Sequence, residues 1–300
     1  MAVPYKAPVK DIVFGYEVID SYNVLNKISA FSDFSEDIVI PTMEECAKFS
    51  EEVLAPINAI GDQQGATIKD GVVTMPEEFV DAYQKFAEAG WASISLPSDI
   101  GGGGMPITLS GGTLEILSTA NLAFGLAPGL SAGAISAINF HGSQEQKDKF
   151  LPKLVSGEWT GTMNLSEPQS GSDLGTITTK AEPQEDGTYK ITGTKVWITF
   201  GEHNMTENII HLVLAKVPGS PEGTKGISMF IVPKNNVNDD GSVGDSNNVS
   251  CISIEEKLGI HASPTCVMEY DGSVGYLVGE ENRGLNYCLL YTSDAADDEL

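Results

Sequence analysis

The chain has 300 residues, which is enough for one large domain or two ordinary domains with hydrophobic cores. Hydrophobic residues make up 41% and charged residues 20%, as in a folded globular protein rather than a disordered one. The net charge of −25 at pH 7 argues against non-specific binding to nucleic acids or to anionic membranes.

The sequence also bears on compartment and redox state. No run of apolar residues approaches the roughly 18–20 that span a bilayer, and the N-terminus lacks the apolar stretch and cleavage site of a signal peptide. A cytoplasmic location without membrane contact is therefore expected. No metal is expected, because neither cysteines nor histidines have metal-ligand spacing. Without a C-x-x-C pair, the cysteines are predicted to be reduced and partly buried: Cys46, Cys251, Cys266 and Cys288.

The first half of the chain reads as helical. Residues 40–60, "IPTMEECAKFSEEVLAPINAI", place apolar side chains on one helical face, and Pro41 is suited to the first turn. Residues 76–90, "PEEFVDAYQKFAEAG", repeat the pattern, with Pro76 near the start and Gly90 as a C-cap.

Two further helical stretches follow in chain order. Residues 111–140 are rich in alanine and glycine and carry one charge, Glu115, which predicts close-packed, buried helices. Ser143 followed by Gln146 predicts a capping box at the start of the short helix "QEQKDKFLPKLV".

The pattern changes near Trp159 from helices to strands. An Asp-Gly turn at 186–187 precedes β-branched and aromatic residues with local period-two alternation. Further strands are predicted in "NIIHLVLAKV", "GISMFIVPK" and "SPTCVMEYDG", whereas residues 234–248 are predicted to be a polar loop. Helices followed by strands, without βαβ alternation, argue against a doubly wound nucleotide-binding fold.

The predicted fold class is therefore α+β, with an all-α N-terminal domain at 1–158 and an antiparallel, β-barrel-like domain at 159–286. The last residues, "CLLYTSDAADDEL", have no periodic apolar face and no cap. They resemble translated sequencing-adapter read-through, so residues 287–300 are interpreted as a non-native tail.

Several motifs could carry chemistry. "GGGGMPIT" at 101–108 has no following G-K-[ST] and no βαβ context, so a flexible turn is a better interpretation than a phosphate loop. "LSEPQSGSD" at 165–173 is not a G-x-S-x-G nucleophile elbow. The longer stretch "MNLSEPQSGSDLG" instead offers many hydroxyl and backbone N–H donors with almost no positive charge.

A second constellation is "KVWITFG" at 195–201. Strict alternation would place Lys195, Trp197 and Thr199 on one face of a strand, with an indole beside a hydroxyl. Ordinary strand packing is the alternative interpretation of this segment alone. Together with the loop of neutral donors, the segment favours a planar heteroaromatic cofactor whose ring edges accept hydrogen bonds.

At these residues the sequence resembles the acyl-CoA dehydrogenase family. "LSEPQSGSD" and "KVWITFG" are similar to the two flavin-site segments of that family, and "GWASISLPSDIGG" is similar to an earlier loop. "KLGIHASPTCVMEYDG" with "LVGEENRGL" resembles the end of its middle domain. The leading "YKAPVKDIVF" is most similar to the branch that includes methylthiopropanoyl-CoA dehydrogenases. Mild departures are Asn164, where a small residue or cysteine is usual, and Thr176 in place of glycine, serine or alanine.

The resemblance implies FAD as cofactor and α,β-dehydrogenation of an acyl-CoA thioester, in which a carboxylate takes the α-proton and the flavin takes a hydride from the β-carbon. The family continues into a C-terminal four-helix domain that carries the catalytic glutamate. That domain is expected to be absent here, so the catalytic base is unassigned and the chain itself is expected to be inactive. Glu167 and Asp173 are expected to order the loop rather than to act as acid or base.

The resemblance also implies roles for individual residues. Leu165 and Ser166 would meet the pyrimidine edge of the flavin, and Trp197 would cover its ring. Thr199 would donate to the nitrogen that accepts the hydride, and Ser172 would also meet the substrate's pantetheine. The full set of implied cofactor-binding residues is Leu165, Ser166, Gly171, Ser172, Trp197, Ile198 and Thr199.

Three alternatives stay open: an acyl-CoA oxidase, a flavin monooxygenase on the same scaffold, and a non-catalytic protein that binds acyl-CoA or flavin. Implied partners are the acyl-CoA substrate, an electron-transfer flavoprotein as electron acceptor, and further copies of the chain in a homo-oligomer.

Overall fold

The computed structural model describes residues 4–289. Their contacts divide them into two compact units. The helical unit comprises residues 4–66, 75–126 and 257–263, and the sheet unit comprises residues 67–74, 127–256 and 264–289.

Amphipathic helices build the helical unit. Its core includes an aromatic cluster in which Phe86 meets Phe124 edge to face, with ring centroids 5.6 Å apart. Gly112 allows its backbone to lie close to the Met43 side chain, since a Cβ at Gly112 would be 2.5 Å from the Met43 Cε. The helices are α1 (Val9–Val18), α2 (Ser21–Leu25), α3 (Glu36–Phe49), α4 (Ala55–Gln64), α5 (Glu77–Glu88), α6 (Ile107–Ala120) and the start of α7 (Leu122–His141).

The predicted start of the helix near Pro41 is wrong. Helix α3 begins at Glu36, and Pro41 lies inside it. Glu36 and Asp37 fall in the first turn, where acidic side chains stabilise the positive end of the helix dipole. A π-helical segment, Ser50–Leu54, then joins α3 to α4 without a break.

Helix α7 is long and apolar enough, by length and composition alone, to cross a membrane. Of its most apolar stretch, 56% is buried within the described structure. An uninterrupted run of apolar residues long enough to span a bilayer is not found in the sequence of this helix, because glycine, serine, proline and asparagine lie between its apolar residues. Small residues of this kind suit the close packing predicted for residues 111–140.

The sheet unit contains a seven-stranded sheet. Its strands are β3 (Trp159–Asn164), β4 (Lys180–Pro183), β5 (Tyr189–Thr199), β6 (Asn208–Lys216), β7 (Ile227–Pro233), β10 (Val249–Ile254) and β11 (Thr265–Leu277). The predicted order of a helical half and a β half is confirmed. The sheet is not a closed barrel, and β6 runs parallel to both β3 and β4.

Two small hairpins complete the β structure: β1 (Thr67–Lys69) with β2 (Val72–Thr74), and β8 (Asn235–Val237) with β9 (Val243–Ser246). The second hairpin lies in the segment predicted to be a polar loop, so that prediction is wrong. Its strands have only three and four residues, NNV and VGDS, and they pair with each other. Such short, mostly polar segments show no alternation of apolar residues from which a strand could be predicted.

The remaining helices are α8 (Gln144–Ser156) and α9 (Gly284–Leu289). Residues 287–289 of the predicted non-native tail belong to α9, where the Tyr287 ring stacks on His141 with centroids 4.2 Å apart. The rest of that prediction lies outside the described residues. All four cysteines, which were predicted to be reduced and partly buried, are free and buried in the described structure.

The capping box predicted for α8 is confirmed. The Gln146 N–H donates to the Ser143 Oγ at 3.2 Å, and the Ser143 N–H donates to the Gln146 Oε1 at 3.0 Å. The Gln146 Nε2 also donates to the Leu277 carbonyl at 2.8 Å, which connects the start of α8 to the end of β11.

We expect Ser143→Ala to lower the free energy of unfolding by about 1 kcal/mol, because one N–H at the start of α8 loses its acceptor. Urea denaturation followed by circular dichroism measures the change. Ser246→Ala is the control, since Ser246 is exposed in β9 and forms no cap. Equal effects of the two substitutions would contradict a capping role for Ser143.

Candidate functional site

The serine-rich segment 165–176, named here the donor loop, begins where β3 ends. The Val196 N–H of β5 donates to the Ser166 carbonyl at 2.9 Å, and the Lys195 Nζ donates to the Leu165 carbonyl at 2.9 Å. Reciprocal backbone bonds between Glu167 and Ser170, at 2.7 and 2.9 Å, close a tight turn within the loop. The donor loop is therefore held against β5 at Leu165 and Ser166, two of the predicted site residues.

The side chain of Glu167 organises this loop from within. Its carboxylate is buried and accepts from the N–H and the hydroxyl of both Thr178 and Thr179. It also accepts from the Gln169 amide at 2.7 Å and from the Lys195 Nζ at 2.9 Å. Asp173 caps a short turn by accepting from the Gly175 N–H at 2.8 Å. Both carboxylates thus make the loop-ordering hydrogen bonds that were expected of them.

The ion pair between Glu167 and Lys195 is fully enclosed, with side-chain exposures of 1% and 0%. Burial raises the pKa of Glu167, but the Lys195 charge and the threonine donors outweigh it and hold that pKa at about 2. Burial lowers the pKa of Lys195 to about 8, against the opposing attraction of Glu167. Both groups are therefore charged at neutral pH, and Glu167 is unsuited to proton abstraction there.

A β-bulge changes which way the side chains of β5 point. Lys195 pairs with Met268 and Ile198 pairs with Cys266, so two residues of β5 face the single Val267 of β11. One of the two is Trp197, whose φ of 59° lies in the left-handed region that is rare for a bulky residue. Its indole is 58% exposed, whereas Lys195 is buried. The predicted shared face of Lys195 and Trp197 is therefore wrong.

The hydroxyl groups of the region fall into two sets. Ser170 and Thr176 donate to the Asp173 carbonyl, and Thr178 and Thr179 donate to Glu167. The hydroxyls of the predicted site residues Ser166, Ser172 and Thr199, by contrast, make no hydrogen bond within residues 4–289, and neither does the hydroxyl of Thr265, which pairs with Thr199 across the sheet.

The other predicted site residues lie around the same place. A Cβ on Gly171 would lie 3.9 Å from the Trp197 Cζ3, so the exposed loop backbone passes beside the indole. Ile198 is buried, which leaves its backbone as the part that could reach a ligand. Thr199, the last residue of β5, is half-buried and pairs with Thr265 of β11. Hydrogen bonds join Leu165 to Lys195, just before the bulge, and Ser166 to Val196, the first residue of the bulge.

A polar network lies behind the loop, at the end of β3. The Tyr270 hydroxyl donates to the Asn164 Oδ1 at 2.9 Å, and the Asn164 Nδ2 donates to the Thr162 Oγ1 at 2.7 Å. The Thr162 hydroxyl lies 2.8 Å from the His211 Nδ1. Burial lowers the pKa of His211 to about 3, so its ring is neutral at physiological pH. Asn164, a departure from the expected family pattern, thus has a structural partner on each side.

Sequence reasoning did not identify Lys195, Thr178 or Thr179 as supports of the site. A lysine at the centre of a strand, between apolar positions, is a signal that could have indicated a buried ion pair. Its partner Glu167 is 28 residues away in sequence, and only the fold brings the two together.

The site thus presents neutral donors and a flat aromatic side chain, while the nearby cations Lys195 and Lys216 donate to the Leu165 and Gly175 carbonyls of the loop. Such a surface suits a planar ring with acceptor atoms at its edge, and it does not suit a phosphate group that needs exposed positive charge.

The sequence is similar to family models and to individual proteins of known function. Two family models match it: "Acyl-CoA dehydrogenase, N-terminal domain" over residues 41–158 and "Acyl-CoA dehydrogenase, middle domain" over residues 162–273. The chain is 46% identical over 291 residues to the 3-methylmercaptopropionyl-CoA dehydrogenase of Ruegeria pomeroyi, which covers 97% of this chain and 50% of that protein. It is 38% identical over 298 residues to a butyryl-CoA dehydrogenase of Syntrophomonas wolfei, covering 96% and 49%.

A solved structure agrees in fold. The acyl-CoA dehydrogenase of Bacillus anthracis, described as complexed with FAD, matches with a TM-score of 0.69 and 26% identity, covering 87% of this chain and 40% of that one. The chain spans about half the length of the curated relatives that it matches. Because both family models match in the expected order and cover most of the sequence, the chain belongs to the acyl-CoA dehydrogenase family.

Proposed function

We propose that the protein catalyses FAD-dependent α,β-dehydrogenation of an acyl-CoA thioester. The observation that carries the proposal is a loop of neutral donors held beside an exposed indole. Hydrogen bonds hold Leu165 and Ser166 against β5, and a Cβ on Gly171 would lie 3.9 Å from the Trp197 ring. The names of its relatives support the same reaction class.

The residues present fit the isoalloxazine ring of FAD. That ring is planar and electron-poor, and its pyrimidine edge accepts hydrogen bonds, which matches an aromatic surface with neutral donors. When bound, FAD supplies the two-electron acceptor for the hydride that leaves the β-carbon. The backbone of Leu165 and Ser166 would hold the pyrimidine edge, Trp197 would cover the ring, and Ile198 would contribute its backbone.

Thr199 has the most direct part in the chemistry that we propose. Its hydroxyl is free within the described residues, and it lies at the end of β5 beyond the bulge. A hydroxyl donor aimed at an atom that gains electron density stabilises the transition state more than the ground state. Gly171 and Ser172, both exposed, would contact the side chain of the cofactor or the pantetheine of the substrate.

Proton abstraction from the α-carbon is not assigned to Glu167 or Asp173, since both carboxylates are engaged in ordering the loop. The resemblance implies a base in a C-terminal helical domain. The domain boundary at 158/159, a cytoplasmic location, an electron-transfer flavoprotein as acceptor and a homo-oligomeric state stay predictions.

We expect protein freed of cofactor to bind FAD with strong quenching of tryptophan fluorescence, because Trp197 is an exposed indole at the site. In Trp197→Phe most of this quenching should disappear and the Kd for FAD should rise by up to about fivefold, since one stacked aromatic contact contributes about 1 kcal/mol and phenylalanine keeps part of it.

Trp91→Phe is the matched control, since Trp91 lies in the helical unit, outside the proposed site. It should keep both the quenching and the Kd. A folded protein that ignores FAD would contradict the proposed function.

A further inference from the structure

Lys195 makes an unusual contact for a buried lysine. Its Nζ donates both to the Glu167 carboxylate and to the backbone carbonyl of Leu165, each at 2.9 Å. That carbonyl belongs to the Leu165–Ser166 peptide group, whose N–H is carried by Ser166. The ammonium group thus contacts one end of a peptide whose other end belongs to the proposed flavin site.

The two charges of the ion pair have different surroundings. The Glu167 carboxylate is further stabilised by four donors from Thr178 and Thr179 and by the Gln169 amide. Lys195 has Leu165 as its second partner. The negative end of the pair is therefore spread over many donors, and the positive end is directed towards the Leu165–Ser166 peptide.

A cation at a carbonyl oxygen draws electron density through the peptide group. The N–H of the same peptide then becomes a stronger donor, and the effect is larger in a low-dielectric interior. The Ser166 N–H makes no hydrogen bond within residues 4–289, so it remains available to a ligand. Because the peptide group is planar, the bond from Lys195 to the Leu165 carbonyl also orients the Ser166 N–H, and the bond from the Val196 N–H holds the next carbonyl, that of Ser166.

We propose that Lys195 is a positioning residue that acts through the Leu165–Ser166 peptide to raise the electron affinity of the bound flavin. This inference rests on the proposed function. It assigns to the buried ion pair an electronic role beyond tethering of the donor loop, since a stronger N–H donor favours the ring after it has gained charge on reduction.

The test is the reduction potential of bound FAD in the double variant Lys195→Met/Glu167→Gln. This variant removes both charges together, so no unpaired charge is left buried. We expect the equilibrium constant for two-electron reduction to fall about tenfold, which is about 30 mV towards lower potential. A tether alone predicts weaker FAD binding at an unchanged potential.

The matched control is Glu202→Gln/Lys234→Met, which removes another ion pair of the sheet unit, with Glu202 buried and Lys234 half-buried. Its potential should equal that of the wild type. A double variant at 195 and 167 with the wild-type potential would overturn the inference and leave the proposed function standing. A wild-type protein that binds no FAD would overturn both.

If the double variant binds too little FAD for its reduction potential to be measured, the potential of Lys195→Arg tests the inference instead, because arginine keeps the positive charge. A reduction constant within about twofold of the wild type supports the inference. A tenfold loss despite the retained charge overturns it.

Discussion

Replacing Glu167 by glutamine lowers the free energy of unfolding by about 3–5 kcal/mol, because the variant leaves the Lys195 ammonium buried without its counter-charge. Glutamine has nearly the same shape, so the loss reports charge and hydrogen bonding rather than a cavity. Chemical denaturation followed by circular dichroism and by tryptophan fluorescence measures it.

The same substitution changes the response to acid. The folded-state pKa of Glu167, about 2, lies below its ordinary value of 4.5. The carboxylate therefore contributes stability that is complete above pH 4.5 and is lost as the pH falls towards 2, by roughly 3 kcal/mol for a shift of this size. The variant should lack this part of the acid dependence, so its stability should approach that of the wild type at low pH.

The control is Glu158→Gln. Glu158 forms an exposed pair with Lys153 at 3.5 Å, and exposed pairs contribute about 0–1 kcal/mol. Equal losses in Glu167→Gln and Glu158→Gln would show that burial of the Glu167 pair has no energetic consequence. An unchanged gap between Glu167→Gln and wild type from pH 7 to pH 3 would show that Glu167 has no lowered pKa.

Thr199→Val should slow reduction of the flavin by acyl-CoA about 100-fold, the effect of removing one donor that stabilises developing charge. Valine keeps the shape of threonine and suits a strand, so the structure of β5 should be preserved. Binding of acyl-CoA should change by less than about twofold, because the proposed hydrogen bond strengthens as the acceptor gains charge.

Stopped-flow absorbance separates the two quantities when substrate is mixed with FAD-loaded protein. Thr194→Val is the control, since Thr194 lies on the same strand, five residues before Thr199, and pairs with Glu269. A variant at 199 that weakens binding and leaves the reduction rate unchanged would remove Thr199 from its proposed role.

Local patterns predicted much of the fold. The capping box at Ser143, the Asp-Gly turn at 186–187 and the buried helices at 111–140 each depend on residues close together in sequence. Such features follow from backbone geometry and from the spacing of apolar residues, which a single sequence contains.

Features that depend on distant partners were not predictable in this way. Helix α3 starts at Glu36, so Pro41 lies inside it, although proline disfavours a helix interior. The burial of Met43 and Cys46 on the same helix offsets this local preference. The β8–β9 hairpin has no apolar alternation. The donor loop was identified from its composition, but its attachment to β5 through Lys195 requires the fold.

The bulge at Val196 and Trp197 has a consequence for how β5 can vary. Before the bulge the inward positions of β5 carry odd numbers, such as Ile191 and Lys195, and after it the inward position is the even-numbered Ile198. Because the bulge shifts the alternation by one residue, the charged side chain of Lys195 faces the interior and the indole of Trp197 faces outward, although the two are only two residues apart. Any single-residue insertion or deletion between 195 and 198 would exchange inward and outward positions downstream, including that of Thr199. A change of length in this stretch would therefore affect every later position of β5, whereas a change of residue type would affect one position.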